Sequence, residues 1–87
     1  MERMTFEELC RSSEQLRDLR DQARDAARHS QREWYVEWVR RNREVLDPAR
    51  AVAVDNSLDF GEVIEIVRSG LADTYRTTRD RLKRKAH

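Results

Sequence analysis

Between Phe6 and Val45 the apolar residues recur at helical spacing. Phe6, Leu9, Leu16, Leu19, Ala23, Ala27, Trp34, Trp38 and Val45 follow one another at intervals of three, four or seven residues. Those intervals return to the same side of a helix with 3.6 residues per turn. Charged residues fill the other positions and form i,i+4 pairs such as Glu7–Arg11, Arg17–Asp21, Glu37–Arg41 and Arg40–Glu44. Each pair contributes about 0.3 kcal/mol at most, so they mark a solvated face and do not drive folding.

Thr5 followed by Glu8 is a capping box and predicts a helix start there. No glycine or proline interrupts the pattern before Pro48. The spacing therefore predicts one helix over 5–46, about 60 Å long at ~1.5 Å per residue. A break near Ser30 is the alternative, because Ser30-Gln31-Arg32-Glu33 is itself a capping box. The middle of the stripe is small (Ala23, Ala26, Ala27, Ser30), which would let a second helix axis come close.

A second stripe, Phe60, Val63, Ile64, Val67, Leu71, Tyr75, Thr78 and Leu82, predicts a helix over 57–85. Ser69-Gly70 is its weak point: glycine costs about 1 kcal/mol against alanine, and a kink would fit there. Between the stripes, Pro48 disfavours helical geometry at Asp47 and should end the first helix at Leu46. Asp47 could then cap a short segment with Pro48 at its first position. Ala51-Val52-Ala53-Val54 could suit a strand, but no second strand exists to pair with it. Residues 47–56 are therefore expected to be a connector, helical or irregular, with Asp55-Asn56-Ser57 as a turn cluster.

The expected fold is all-α. Residues 1–87 would form a single domain, an antiparallel hairpin of two long helices. One hairpin has a single seam and would leave the Trp34-Tyr35-Trp38 region half covered. Two hairpins would cover it as a four-helix bundle or coiled coil, so a homodimer is expected.

Composition agrees with helices. Of 87 residues 40% are charged and 38% hydrophobic, with two Gly and one Pro, and the net charge of +1 argues against disorder. No apolar run reaches the ~18 residues of a membrane span, and no signal-peptide pattern opens the chain. Cys10 is the sole cysteine, which excludes an internal disulfide, and a cytoplasmic location is expected. Sixteen arginines against two lysines fit a GC-rich bacterial or phage genome. The charge is uneven: residues 1–75 sum to −4 and residues 76–87 to +5.

Candidate chemistry is sparse. Asp25, His29 and Glu33 share a helical face, yet the same face carries Arg32 and reads as ordinary charge pairing. Cys10 has no histidine near it in sequence. No Gly-rich phosphate loop, zinc-spaced Cys/His set or Gly-x-Ser-x-Gly is present. The expectation is a non-enzymatic protein with no cofactor, no metal and no small-molecule substrate.

Two macromolecular readings remain. Trp34, Tyr35, Trp38 and Val39, rimmed by Arg40, Arg41 and Arg43, have the residue types that dominate protein interfaces. In that reading Trp34 and Trp38 face the chain's own core and Tyr35 and Val39 face outward. The protein would then be an adaptor, inhibitor or regulatory subunit. The alternative is a DNA- or RNA-binding regulator using Arg76, Arg79, Arg81, Lys83, Arg84 and Lys85 on phosphates. Those same cations also complement a helix C-terminus without any ligand.

Overall fold

The computed structural model describes residues 4–31, 34–41 and 43–85, without the side chains of Tyr35, Arg41 and Arg43. Among these residues the chain is all-α, with no strand: α1 is Phe6–Ser12, α2 Glu14–Arg28, α3 Trp34–Arg41, α4 Leu46–Asp55 and α5 Phe60–Lys85. A single 3-10 turn, Arg43–Val45, leads into α4.

The capping box forms as expected. The Glu8 amide donates to Thr5 Oγ1 at 3.1 Å, and the Thr5 amide donates to the Glu8 carboxylate at 3.3 Å. The single helix over 5–46 does not form; among the described residues it is divided after Ser12 and after Arg28, and α3 closes at Arg41 before the 3-10 turn. The first division is at Ser12-Ser13. Ser12 Oγ donates back to the Leu9 carbonyl at 2.9 Å, while Ser13 takes an extended backbone and accepts the Leu16 amide at 3.3 Å. Two adjacent hydroxyls thus close one helix and open the next.

The second division follows Arg28. Ser30 lies at φ 53°, its amide donates to Ala27 O at 3.2 Å, and the Gln31 amide donates to Ala26 O at 2.9 Å. This is a Schellman motif, with serine at the left-handed position that glycine usually fills. Ser30 therefore ends α2; the expected capping box from it cannot be traced, because Glu33 lies outside the described residues. The end of α4 repeats the motif. Ser57 lies at φ 54°, its amide donates to Val54 O at 3.3 Å, and Leu58 N–H donates to Ala53 O at 2.8 Å.

Residues 49–54 are helical and belong to α4. Pro48 is the third residue of that helix and does not begin it. Its missing N–H costs nothing in a first turn, where amides have no intrahelical acceptor. The next helix starts at Phe60 and not at Ser57, with the Asp59 carboxylate accepting the Glu62 amide at 3.1 Å.

All the other helices pack on α5, with α2 making the most extensive interface and α4 the next. Met4, Thr5 and Phe6 share a cleft with Glu65, Ile66 and Gly70, whereas Arg24 and Arg28 share one with Thr78, Leu82 and Lys85. The α1–α2 segment therefore runs in the same direction as α5. Between them Val36 and Val39 lie beside Arg68 and Leu71, and Arg50 sits 5.2 Å from the centre of the Phe60 ring. Residues 34–55 thus run back down α5. The architecture is up, down and up in three segments, and not a two-helix hairpin.

The radius of gyration is 13.3 Å, against about 12 Å for a round globule of this length. The extents of 45 × 26 × 18 Å show why: the 26 residues of α5 set the long axis. Its buried stripe is Val63, Val67, Leu71 and Tyr75, and α2 contributes Leu16, Leu19, Ala23, Ala26 and Ala27. The small residues of α2 are thus buried on the side that meets α5. The helix makes no stop at Ser69-Gly70, and α5 runs through it unbroken.

Tyr75 is buried, and its hydroxyl has no hydrogen-bond partner among the described residues. Leaving such a group dry and unpaired costs about 1–3 kcal/mol. Tyr75→Phe is expected to raise stability by about 1 kcal/mol in urea unfolding. Unchanged or lower stability would mean that the hydroxyl holds a partner such as an ordered water.

Candidate functional site

Division at Ser30 resets the helical phase before the aromatic cluster, and the cluster turns over as a result. Val39 is 2% exposed and belongs to the core, so it cannot be an interface anchor. Trp34 is 59% exposed, and Trp38 is half-buried against the core edge. The expectation that the tryptophans face in and Val39 faces out is therefore corrected for Trp34 and Val39. The two indoles stack on the surface of α3, with centroids 6.1 Å apart and planes 10° from parallel. Such offset stacking holds both rings in one orientation. Arg40 is exposed and reaches Glu37 at 3.5 Å. The side chains of Tyr35, Arg41 and Arg43 lie outside what the structure describes.

The basic end of α5 separates into four groups. Arg76 pairs with Asp73. Arg79 is half-buried, with its Nε unpartnered among the described residues. Lys83 and Arg84 are exposed. Arg81 and Lys85 do something the sequence did not indicate: with Arg24 and Arg28 of α2 they line a groove of about 460 Å³, completed by Thr78 and Leu82. Among the described residues no carboxylate lines it. Arg24 and Arg28 had looked like part of an ordinary solvated face. Only the same-direction packing of α2 and α5 places them opposite Arg81 and Lys85.

Toward the other end of α5 the groove continues into a cleft that shares Arg24, Thr78 and Arg81, and adds Thr74, Thr77, Glu7 and Asp73. The two acids there are engaged: Glu7 with Arg20 at 3.0 Å, and Asp73 with Arg76. Among the described residues Arg28, Arg81 and Lys85 have no acidic partner, and Arg24 has only a long contact of 3.7 Å to Asp21.

The remaining candidates offer little for catalysis. Cys10 is fully buried, and burial pushes its thiol above the ordinary value, with the Arg20 charge pulling weakly the other way. Such a thiol is a poor nucleophile. His29 Nδ1 lies 2.8 Å from the Asp25 carbonyl and 3.6 Å from its carboxylate, while Glu33 is outside the described residues. Among the described residues no helix is long and apolar enough to cross a membrane. Comparison of the chain with protein-family models, with curated proteins and with solved structures gave no match.

Proposed function

We propose that this is a small non-enzymatic interaction module that docks a protein partner through α3. Trp34 and Trp38 are the anchors, with Tyr35 beside them and Arg40, Arg41 and Arg43 as the polar rim. The observation that carries this reading is the exposure of Trp34 on a ring pair already held in register. A pre-ordered aromatic surface binds without a large ordering cost, and tryptophan and arginine dominate interface energetics. A homodimer is the form of this reading in which the partner is a second copy, α3 against α3 about a two-fold axis.

Light scattering after size exclusion tests it. The wild-type chain is expected near twice 10.4 kDa, and Trp34→Ala at 10.4 kDa. Unfolding stability should change by less than about 0.5 kcal/mol, as for a surface residue. A wild-type monomer would remove the self-associating form. A Trp34→Ala chain that keeps the wild-type mass and loses about 2 kcal/mol of stability would show a core residue, and the anchor role would fall.

A second reading is binding of DNA or RNA through the basic end of α5. It is favoured by Arg81, Lys83, Arg84 and Lys85, which have no acidic partner among the described residues.

A further inference from the structure

We propose that the groove between α2 and α5 is the seat of a nucleic-acid phosphate backbone, with Arg24 and Arg28 on one wall and Arg81 and Lys85 on the other. This rests on the second reading above and adds α2 to it.

Charge placement is the first argument. The fold brings four cations from distant parts of the sequence to one concave surface, whose lining has no carboxylate among the described residues. Like charges held together repel, and a bound polyanion relieves that repulsion. A helix C-terminus alone accounts for Arg81 and Lys85 only in part, and Arg24 lies a full turn before the end of α2.

Spacing is the second. Arg24 and Arg28 are four residues apart, and so are Arg81 and Lys85. That separates the charges along each wall by about 6 Å. The result is a line of paired cations, suited to successive phosphates of a strand more than to one small anion. Arginine supplies three of the four and presents a planar fork to phosphate oxygens. Thr77 and Thr78 extend the line with hydroxyls, groups that contact backbone oxygens without reading bases.

The third argument meets an objection. Residues 1–75 carry a net charge of −4 and should repel a nucleic acid. Yet the two acids of the adjoining cleft are engaged, Glu7 with Arg20 and Asp73 with Arg76. The polyanion would meet the cationic wall and not the average charge.

Fluorescence anisotropy with a short labelled oligonucleotide, single-stranded in one series and duplex in another, tests the proposal on the full chain. The groove variant is Arg28→Ala with Arg81→Ala. The control is Arg11→Ala with Arg17→Ala, which removes the same charge from exposed positions outside the groove, and Lys83→Ala with Arg84→Ala gauges the rest of the basic end of α5. The groove variant should lose on the order of tenfold in affinity, and its salt dependence should become shallower by about 0.7–0.9 per lost contact. The control should lose less than about threefold. Whichever series shows this split identifies the strand form bound. A loss as large in Lys83→Ala with Arg84→Ala as in the groove variant would overturn the groove while leaving a diffuse role for α5. No binding of either oligonucleotide by the wild-type chain at low salt would overturn both. Circular dichroism melts confirm that each variant is folded.

Discussion

Replacing Gly70 with alanine is expected to destabilise this protein by about 2 kcal/mol, opposite in sign to the general rule. In a helix interior alanine is favoured over glycine by about 1 kcal/mol, because it loses less backbone entropy. At Gly70 a neighbour overrides that preference. A Cβ there would lie 2.5 Å from Cδ2 and 2.6 Å from Cδ1 of Phe6, and closer still to Cγ. These atoms are the root of the ring and cannot swing aside as a side-chain tip could. Phe6 is the first residue of α1, so the ring must leave its seat or carry α1 away from α5. Overpacking of this kind costs about 1–3 kcal/mol, and lost burial of the ring adds to it. The measurement is a double-mutant cycle in urea. In a Phe6→Ala background the clash is gone, and Gly70→Ala should become stabilising by about 1 kcal/mol. A wild-type background in which Gly70→Ala already stabilises would end the argument.

Glycine at both left-handed serines should raise stability by about 1.5 kcal/mol. Ser30 and Ser57 each hold a positive φ at the end of a helix. That conformation costs a residue with a Cβ roughly 1–2 kcal/mol and costs glycine almost nothing. Glycine returns part of the gain through the greater freedom of its unfolded chain, which leaves about 0.5–1 kcal/mol per site. The two motifs close different helices and share no hydrogen-bond partner, so the gains should add. For a chain of this size the double variant should melt about 5–10 °C higher. Alanine at either position should give no gain, since it keeps the Cβ. If neither glycine raised the melting temperature, the left-handed geometry at these serines would be wrong.

These serines also explain what the sequence conveyed and what it hid. Thr5 and Glu8 announced the first helix because a capping box is local chemistry. The faces of Leu16, Leu19 and Ala23, and of Val63, Val67 and Leu71, were legible because burial follows helical period. The division at Ser12-Ser13 was not, and the one at Ser30 stood only as the alternative to an unbroken helix. Neither carries glycine or proline, and Leu9 to Leu16 keeps a seven-residue interval across the first break. An unbroken period therefore concealed a broken helix. The consequence reached the aromatic cluster: with the phase reset after Ser30, Val39 faces inward and Trp34 outward. Gly70 was legible as a weak point but not as a seat for Phe6, because that contact spans the chain. The groove was half visible. Arg81 and Lys85 stood out in a basic run, whereas Arg24 and Arg28 acquire meaning only from the direction in which α2 meets α5.

The position of α5 bears on how the chain is made. It follows α1–α4 in sequence, yet all four of them pack on it. As the chain leaves a ribosome, α1–α4 emerge with only one another to pack against and without the helix they all share. At 5–20 residues per second, the 26 residues of α5 add about 1–5 s before the last surface of the core exists. The nascent protein thus passes through a stage in which Leu9, Leu16, Leu19 and Val52 lack the helix that completes their core. Charged pairs such as Glu7–Arg11 on α1 and Arg17–Asp21 on α2 would keep that unfinished chain in solution until its spine arrives.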